Sequence, residues 1–178
     1  NRFLDFINFE IPASWFQSIN PLMIIIFGYF ISLIWLKLEE KNFINSSILK
    51  IAVGIIIMGS GFIFMFFASV EADTYGKSSM YWLVLAYALI TIGELCASPV
   101  ILSYITKLSP KQKVSSIMGI YFATIGLGNK LAGTIGVYSQ QLGEKKVFLG
   151  ITLICIIVGL TVIIFHNGLK KLAHGRLN

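Results

Sequence analysis

Apolar residues run along this chain in five blocks, each long enough to cross a bilayer as a helix, which takes about 20 residues. The blocks cover about Ile11 to Leu36, Ile51 to Val70, Ser78 to Thr106, Val114 to Gly143 and Val147 to Leu169. The first, second and fifth hold no acidic or basic side chain other than a histidine, the third holds only Glu94, and the fourth only Lys130. The runs are continuous and do not alternate every second residue, which excludes a closed β-barrel. The pattern predicts an all-α membrane protein of five transmembrane helices.

Composition agrees, since 56% of the 178 residues are hydrophobic and only 12% charged, against about 25% charged in a soluble domain. The opening Asn1-Arg2-Phe3-Leu4-Asp5 has no initiator Met, basic flank or cleavage site of a signal peptide, so the chain reads as part of a longer protein. A net charge of +6 would suit nucleic acid, but the basic residues fall between the apolar spans. Lys37, Lys41, Lys50, Lys107, Lys111, Lys113, Lys170, Lys171 and Arg176 lie on one side, and only Arg2, Lys77, Lys145 and Lys146 on the other. The positive-inside rule then predicts a cytoplasmic C-terminal tail and an external loop over Glu71–Lys77. Trp15, Trp35 and Trp82 fall near span ends, where interfacial anchors gather.

The charge inside the third span is the first candidate for chemistry. A carboxylate at mid-bilayer costs at least ~2.5 kcal/mol, so it has a partner, a proton or a job. Tyr87, Thr91 and Ser98 share its helical face, giving a polar stripe that predicts a bundle interior or a water-filled cavity. Pro99 removes the hydrogen bond to the Leu95 carbonyl and predicts a kink. In the first span Ser14, Gln17 and Asn20 recur at helical spacing, and Pro21 frees the Gln17 carbonyl. Buried amides need partners that lipid does not offer. In the fourth span Tyr121, Thr124 and Gly128 align, and Gly128, Ala132 and Gly136 form a small-residue row suited to close helix packing. By helical rise Glu94 lies ~20 Å from Lys107 and Lys130 ~25 Å from Lys113. A contact between the two is therefore allowed, although Lys130 is expected to pair outside these helices or to snorkel.

Cys96 and Cys155 both fall in apolar spans and read as packed thiols. His166 and His174 lack metal-ligand companions. The sequence has no phosphate loop, nucleophile–base pair or metal motif, so neither an enzyme nor a cofactor is expected.

Three segments together resemble one family, the proton-dependent oligopeptide transporters of the major facilitator superfamily. They are Ile11-Pro12-Ala13-Ser14-Trp15-Phe16-Gln17-Ser18-Ile19-Asn20-Pro21, Gly93-Glu94-Leu95-Cys96-Ala97-Ser98-Pro99 and Gly126-Leu127-Gly128-Asn129-Lys130-Leu131-Ala132-Gly133. The resemblance implies a C-terminal partial bundle, equivalent to helices eight to twelve, with the N-terminal half absent. It implies that Asn20 and Glu94 face the central cavity and hold the amino end of a peptide, with Glu94 a candidate for proton coupling. It also implies that the aromatic of helix eleven, usually Trp in the family, is Tyr121 here. Gln17, Pro21, Ser98, Pro99 and Lys130 are expected to support the cavity or break the helices. A proline common further along helix eight is replaced by the Gly28-Tyr29-Phe30 region.

The function expected is proton-coupled symport of di- and tripeptides across the plasma (bacterial inner) membrane. The implied partners are peptide, protons, lipid and the absent N-terminal helices, whose acidic and basic groups this chain does not supply. Carriers of nitrate or drugs, and a non-transporting assembly module, are the alternatives.

Overall fold

The computed structural model describes the backbone of residues 3–4, 9–10, 13–40 and 46–172, and side chains over 18–38, 40, 46–139 and 141–168. Five long helices occupy the five apolar blocks: α1 (Ala13–Glu40), α2 (Ser47–Tyr75), α3 (Met80–Leu108), α4 (Val114–Leu142) and α5 (Glu144–Leu172). Most run past the apolar block at one or both ends, because a helix continues satisfying its backbone into the polar interface. One consequence corrects the expected external loop. α2 extends through Tyr75, so Glu71 and Asp73 are helical and the connection to α3 shrinks to residues 76–79. Gly76 makes that stop with φ +69°, a left-handed conformation that favours glycine. Two short strands, Phe3–Leu4 and Phe9–Glu10, pair antiparallel ahead of α1. Two residues per strand are too few for a periodicity signal.

Among the described residues, α1, α2, α3 and α5 are each long and apolar enough to cross a membrane. α4, the fourth of the five expected spans, is the least apolar of the five helices. Its apolar run is diluted by Gly119, Gly126, Gly128, Gly133, Gly136, Asn129, Lys130 and several hydroxyls. Such a helix gains little from facing lipid on all sides and suits contact with protein or water.

Packing follows the order α1–α3–α2–α5, with α4 touching only α3 and α5 at a few points. Glycines set the close crossings. A β-carbon on Gly93 would stand 2.6 Å from the Gly54 carbonyl oxygen, and one on Gly54 would stand 2.8 Å from Ala97 Cβ. One on Gly61 would stand 2.8 Å from Ile90 Cγ1. On the other side of α2, Gly59 meets Cys155 and Gly159 meets Ile56. Without a hydrophobic driving force between helices in lipid, such backbone approach gains dispersion contacts. The expected small-residue row of α4 behaves differently, since nothing lies near Gly128 or Gly136 among the described residues.

At the α2–α3 corner one carboxylate organises the turn. Glu71 Oε2 accepts the Ser79 backbone N–H at 3.0 Å and the Trp82 indole N–H at 2.7 Å. The Trp82 ring stacks with Phe64 and Phe67 at 6.0 and 5.6 Å. Lys145 of α5 pairs with Asp73 at 2.6 Å in an exposed ion pair. α2, α3 and α5 are thus fastened to one another at this end as well as along their glycine seams.

Candidate functional site

Asn20 lies on α1 beyond its first turn, half-buried. Its side-chain oxygen, Oδ1, accepts a hydrogen bond from the Thr91 hydroxyl at 2.6 Å. Thr91 is fully buried on α3, one turn before Glu94. The polar face expected around Glu94 is therefore real at Thr91, and this bond ties Asn20 to the helix that carries the acid. Glu94 itself is half-buried, as are Tyr87 and Ser98. Among the described residues Glu94 has no hydrogen bond or ion pair, and Lys130 is exposed and has no ion pair either. The sequence-allowed Glu94–Lys130 contact does not form.

Tyr121 stays apart from this pair. It is half-buried on α4, its ring 5.4 Å from that of Phe122. From residue 122 to 138 every side chain of α4 is exposed, so no neighbouring helix of this chain closes over that surface. The Thr91 bond ties Asn20 to the helix that carries Glu94, and among the described residues no hydrogen bond or ion pair links Tyr121 or Lys130 to either.

Pro21 and Pro99 both lie inside uninterrupted helices, and neither ends its helix. Each deletes one backbone hydrogen bond, and the helix continues on both sides of it. Pro99 is exposed toward a groove of about 400 Å³ between α1 and α3, lined by Gly28, Ser32, Trp35, Lys50, Leu95 and Pro99 among others. Asn20, Glu94 and Tyr121 do not line it. Lys50 is another correction: it is buried within α2, not in a loop, with its ammonium 5.2 Å from the Trp35 ring centroid. Desolvated cations favour aromatic faces at that distance. The side chains of Ser14, Trp15 and Gln17, and all of Ile11, Pro12, Lys41, His174 and Arg176, lie outside the described residues.

Three residues with defined roles escaped the sequence reading. Thr91 was placed on the right face but not paired with Asn20, because helical spacing gives faces and not partners. The charge pattern predicts Glu71 and Asp73 in a loop, and the structure places both in α2. Their signal was the Gly76 stop, which marks a helix end just beyond them.

The model of the POT family matches residues 2–147 of this chain. The chain belongs to the POT family. It is 42% identical over 130 residues to the peptide transporter YePEPT of Yersinia enterocolitica subsp. palearctica serotype O:3 (strain YE-P4), covering 72% of this chain and 25% of that protein. It is 32% identical over 164 residues to a di-/tripeptide transporter of Lactococcus lactis subsp. cremoris, covering 92% of this chain and 33% of that one. Its fold superposes on a solved POT family transporter in complex with 5-aminolevulinic acid, with TM-score 0.75, 31% identity, and 88% and 32% of the two chains covered. The chain thus spans between a quarter and a third of the length of these relatives. The POT match makes it a multi-pass membrane segment of a major facilitator superfamily bundle, from a family of transporters and not of enzymes.

Proposed function

We propose that this POT segment supplies half of the central cavity of a proton-coupled symporter of di- and tripeptides. The observation that supports the reading is the hydrogen bond joining Asn20 of α1 to Thr91 of α3, one helical turn before Glu94. Glu94 pairs with the ammonium of the substrate, and Asn20 contacts the same end. Tyr121 on α4 forms a wall of the cavity once the remaining helices are present, and Lys130 pairs outside this chain. Peptide-transporter relatives support the substrate class. The ligand of the solved relative, 5-aminolevulinic acid, has an ammonium one carbon from a carbonyl, as the amino end of a peptide does.

Proton coupling follows from the position of Glu94. A bare carboxylate at mid-membrane depth is costly, and a proton or an opposite charge removes the cost. Glu94 is therefore the group that couples the proton to the substrate, whose ammonium it pairs with. The membrane is the plasma (bacterial inner) membrane, with the C-terminus in the cytoplasm, supported by the nine-to-four bias of basic residues. Alternating access about a mid-membrane site between two bundles then moves peptide and proton together.

The test is uptake by the full-length transporter in vesicles under an imposed proton gradient. Labelled dialanine should accumulate and nitrate should not. Accumulation of nitrate without dialanine would replace the peptide reading with that of another proton-coupled carrier.

A further inference from the structure

The groove between α1 and α3 lies apart from the proposed peptide site, since Asn20, Glu94 and Tyr121 do not line it. Three helices supply its walls: Gly28, Ser32 and Trp35 from α1, Leu95 and Pro99 from α3, and Lys50 from the first turn of α2. The α1 wall begins near the middle of that helix and climbs ~12 Å toward its C-terminal end. Basic residues gather at the same end of the bundle. Lys37 and Lys107 lie exposed in the last turns of α1 and α3, and Lys111 and Lys113, also exposed, follow α3. Glu40, exposed, is the acidic side chain described there.

Charge and volume both narrow what such a groove accepts. Lys50 is only 9% exposed, with its ammonium 5.2 Å from the Trp35 ring centroid. An aromatic face offsets part of the cost of a desolvated cation, and an anion offsets more. The groove thus has a positive pole at the basic end and apolar walls toward mid-membrane. No described carboxylate lines it, so it offers nothing to the ammonium of a peptide. An α-helix with side chains is about 10 Å or more across, and a ~12 Å length of one fills on the order of 1,000 Å³. The groove holds about 400 Å³, too little for a helix and suited to a hydrocarbon chain.

We infer that this groove is a site for an anionic phospholipid of the cytoplasmic leaflet, its phosphate on Lys50 and one acyl chain laid along Gly28, Leu95 and Pro99. Basic pockets between transmembrane helices on the cytoplasmic side recognise phosphate headgroups in this way. The inference rests on the membrane orientation proposed above and not on the substrate. Gly28 gives a means of closing the groove. A β-carbon there would stand 4.0 Å from Leu95 Cδ2, an ordinary contact, so a larger side chain enters the groove without striking backbone.

The full-length transporter in detergent is offered phosphatidylglycerol or phosphatidylcholine with identical chains. Bound lipid is counted by native mass spectrometry, and thermal stability is measured alongside. Wild-type protein should retain phosphatidylglycerol about 5-fold better, the yield of one cation beside an anionic headgroup. K50M keeps an apolar stem against Trp35 without the charge and should bring the preference below about 2-fold. K50R and K37Q should leave it nearly unchanged. G28L should lower retention of both lipids. Equal retention of the two lipids by wild type, or an undiminished preference in folded K50M, overturns the inference. If K50M does not fold, G28L decides, because lipid held as well in a filled groove overturns it too. Absence of both lipids would mean that the remaining helices fill the groove, and displacement of phosphatidylglycerol by inorganic phosphate would make it a free-anion site; either result overturns the lipid reading. External labelling of K111C, in protein without other cysteines, would instead overturn the orientation and with it the leaflet, whichever lipid is retained.

Discussion

The α2–α3–α5 group and the flanking helices α1 and α4 solve different problems with similar amounts of glycine. In the first group Gly54, Gly59, Gly61, Gly93 and Gly159 each meet another helix, and the corner is closed by Glu71, Trp82 and the Asp73–Lys145 pair. On α4 the glycines meet nothing among the described residues, and large apolar side chains such as Leu127, Leu131 and Val137 are 63–70% exposed. α1 likewise exposes Ile25, Tyr29 and Phe30. Yet Asn20 and Tyr121 lie on these outer helices, and Glu94 lies on α3 where α1 meets the packed group. Packing is completed within the chain, whereas the proposed binding surface is open toward whatever completes the bundle.

The sharpest way to break this division is at Glu94. E94Q preserves size and hydrogen bonding but removes the charge, so folding should be unchanged. Loss of a charged partner is worth ~1.5–3 kcal/mol, so proton-driven dialanine uptake should fall about 10- to 100-fold with normal membrane insertion. Wild-type uptake by E94Q would return Glu94 to the packed group as a neutral bond to a neighbouring helix.

The opposite effect is expected one residue earlier. G93L forces a side chain against the Gly54 carbonyl and the Met58 backbone, and overpacking of this kind costs about 1–3 kcal/mol or more. The full-length transporter should lose thermal stability in detergent, and peptide affinity should change little in the fraction that stays folded. Neighbouring residues would then separate function from packing on a single helix.

That separation was only partly legible in the sequence. Five helices followed from five apolar runs, and the polar face of α3 followed from the spacing of Tyr87, Thr91, Glu94 and Ser98. The glycine seam of α2 did not, because Gly54, Gly59 and Gly61 face two different partners and form no single row. The row that did look regular, Gly128-Ala132-Gly136, has no partner here. Pro21 and Pro99 suggested breaks that the rest of each helix absorbs. Partners are a property of three-dimensional approach, which one-dimensional spacing does not encode.

Asn20 tests whether an outer helix contributes binding or stability. N20A should weaken dipeptide binding by ~1–2 kcal/mol, the worth of one hydrogen bond in a partly buried site, measured by competition in the full-length transporter. A collapse of stability with unaltered affinity would make the Asn20–Thr91 bond a structural tie belonging to the packed group.

The corner of α2 and α3 should respond more mildly. W82F retains the aromatic stack on Phe64 and Phe67 but removes the donor to Glu71. Glu71 still accepts the Ser79 backbone N–H, so the loss should be ~0.5–1.5 kcal/mol of stability, with transport intact. A transport defect in W82F without a change in stability would show that this corner takes part in the movement of the bundle.

The smallest effect is expected at the Asp73–Lys145 pair. The two side chains are 66% and 37% exposed, so water and salt screen the attraction and ordering two flexible side chains offsets much of it. Exposed pairs contribute about 0–1 kcal/mol. D73N should therefore shift thermal stability only slightly, and the shift should vanish at high salt because screening already weakens the wild-type pair. The glycine seam between α2 and α5, where Gly59 meets Cys155 and Gly159 meets Ile56, continues to hold the two helices. A large, salt-independent loss in D73N would mean that the ion pair, and not the seam, fixes α5 to the group, and the boundary between packed and open regions would have to be drawn on the other side of α5.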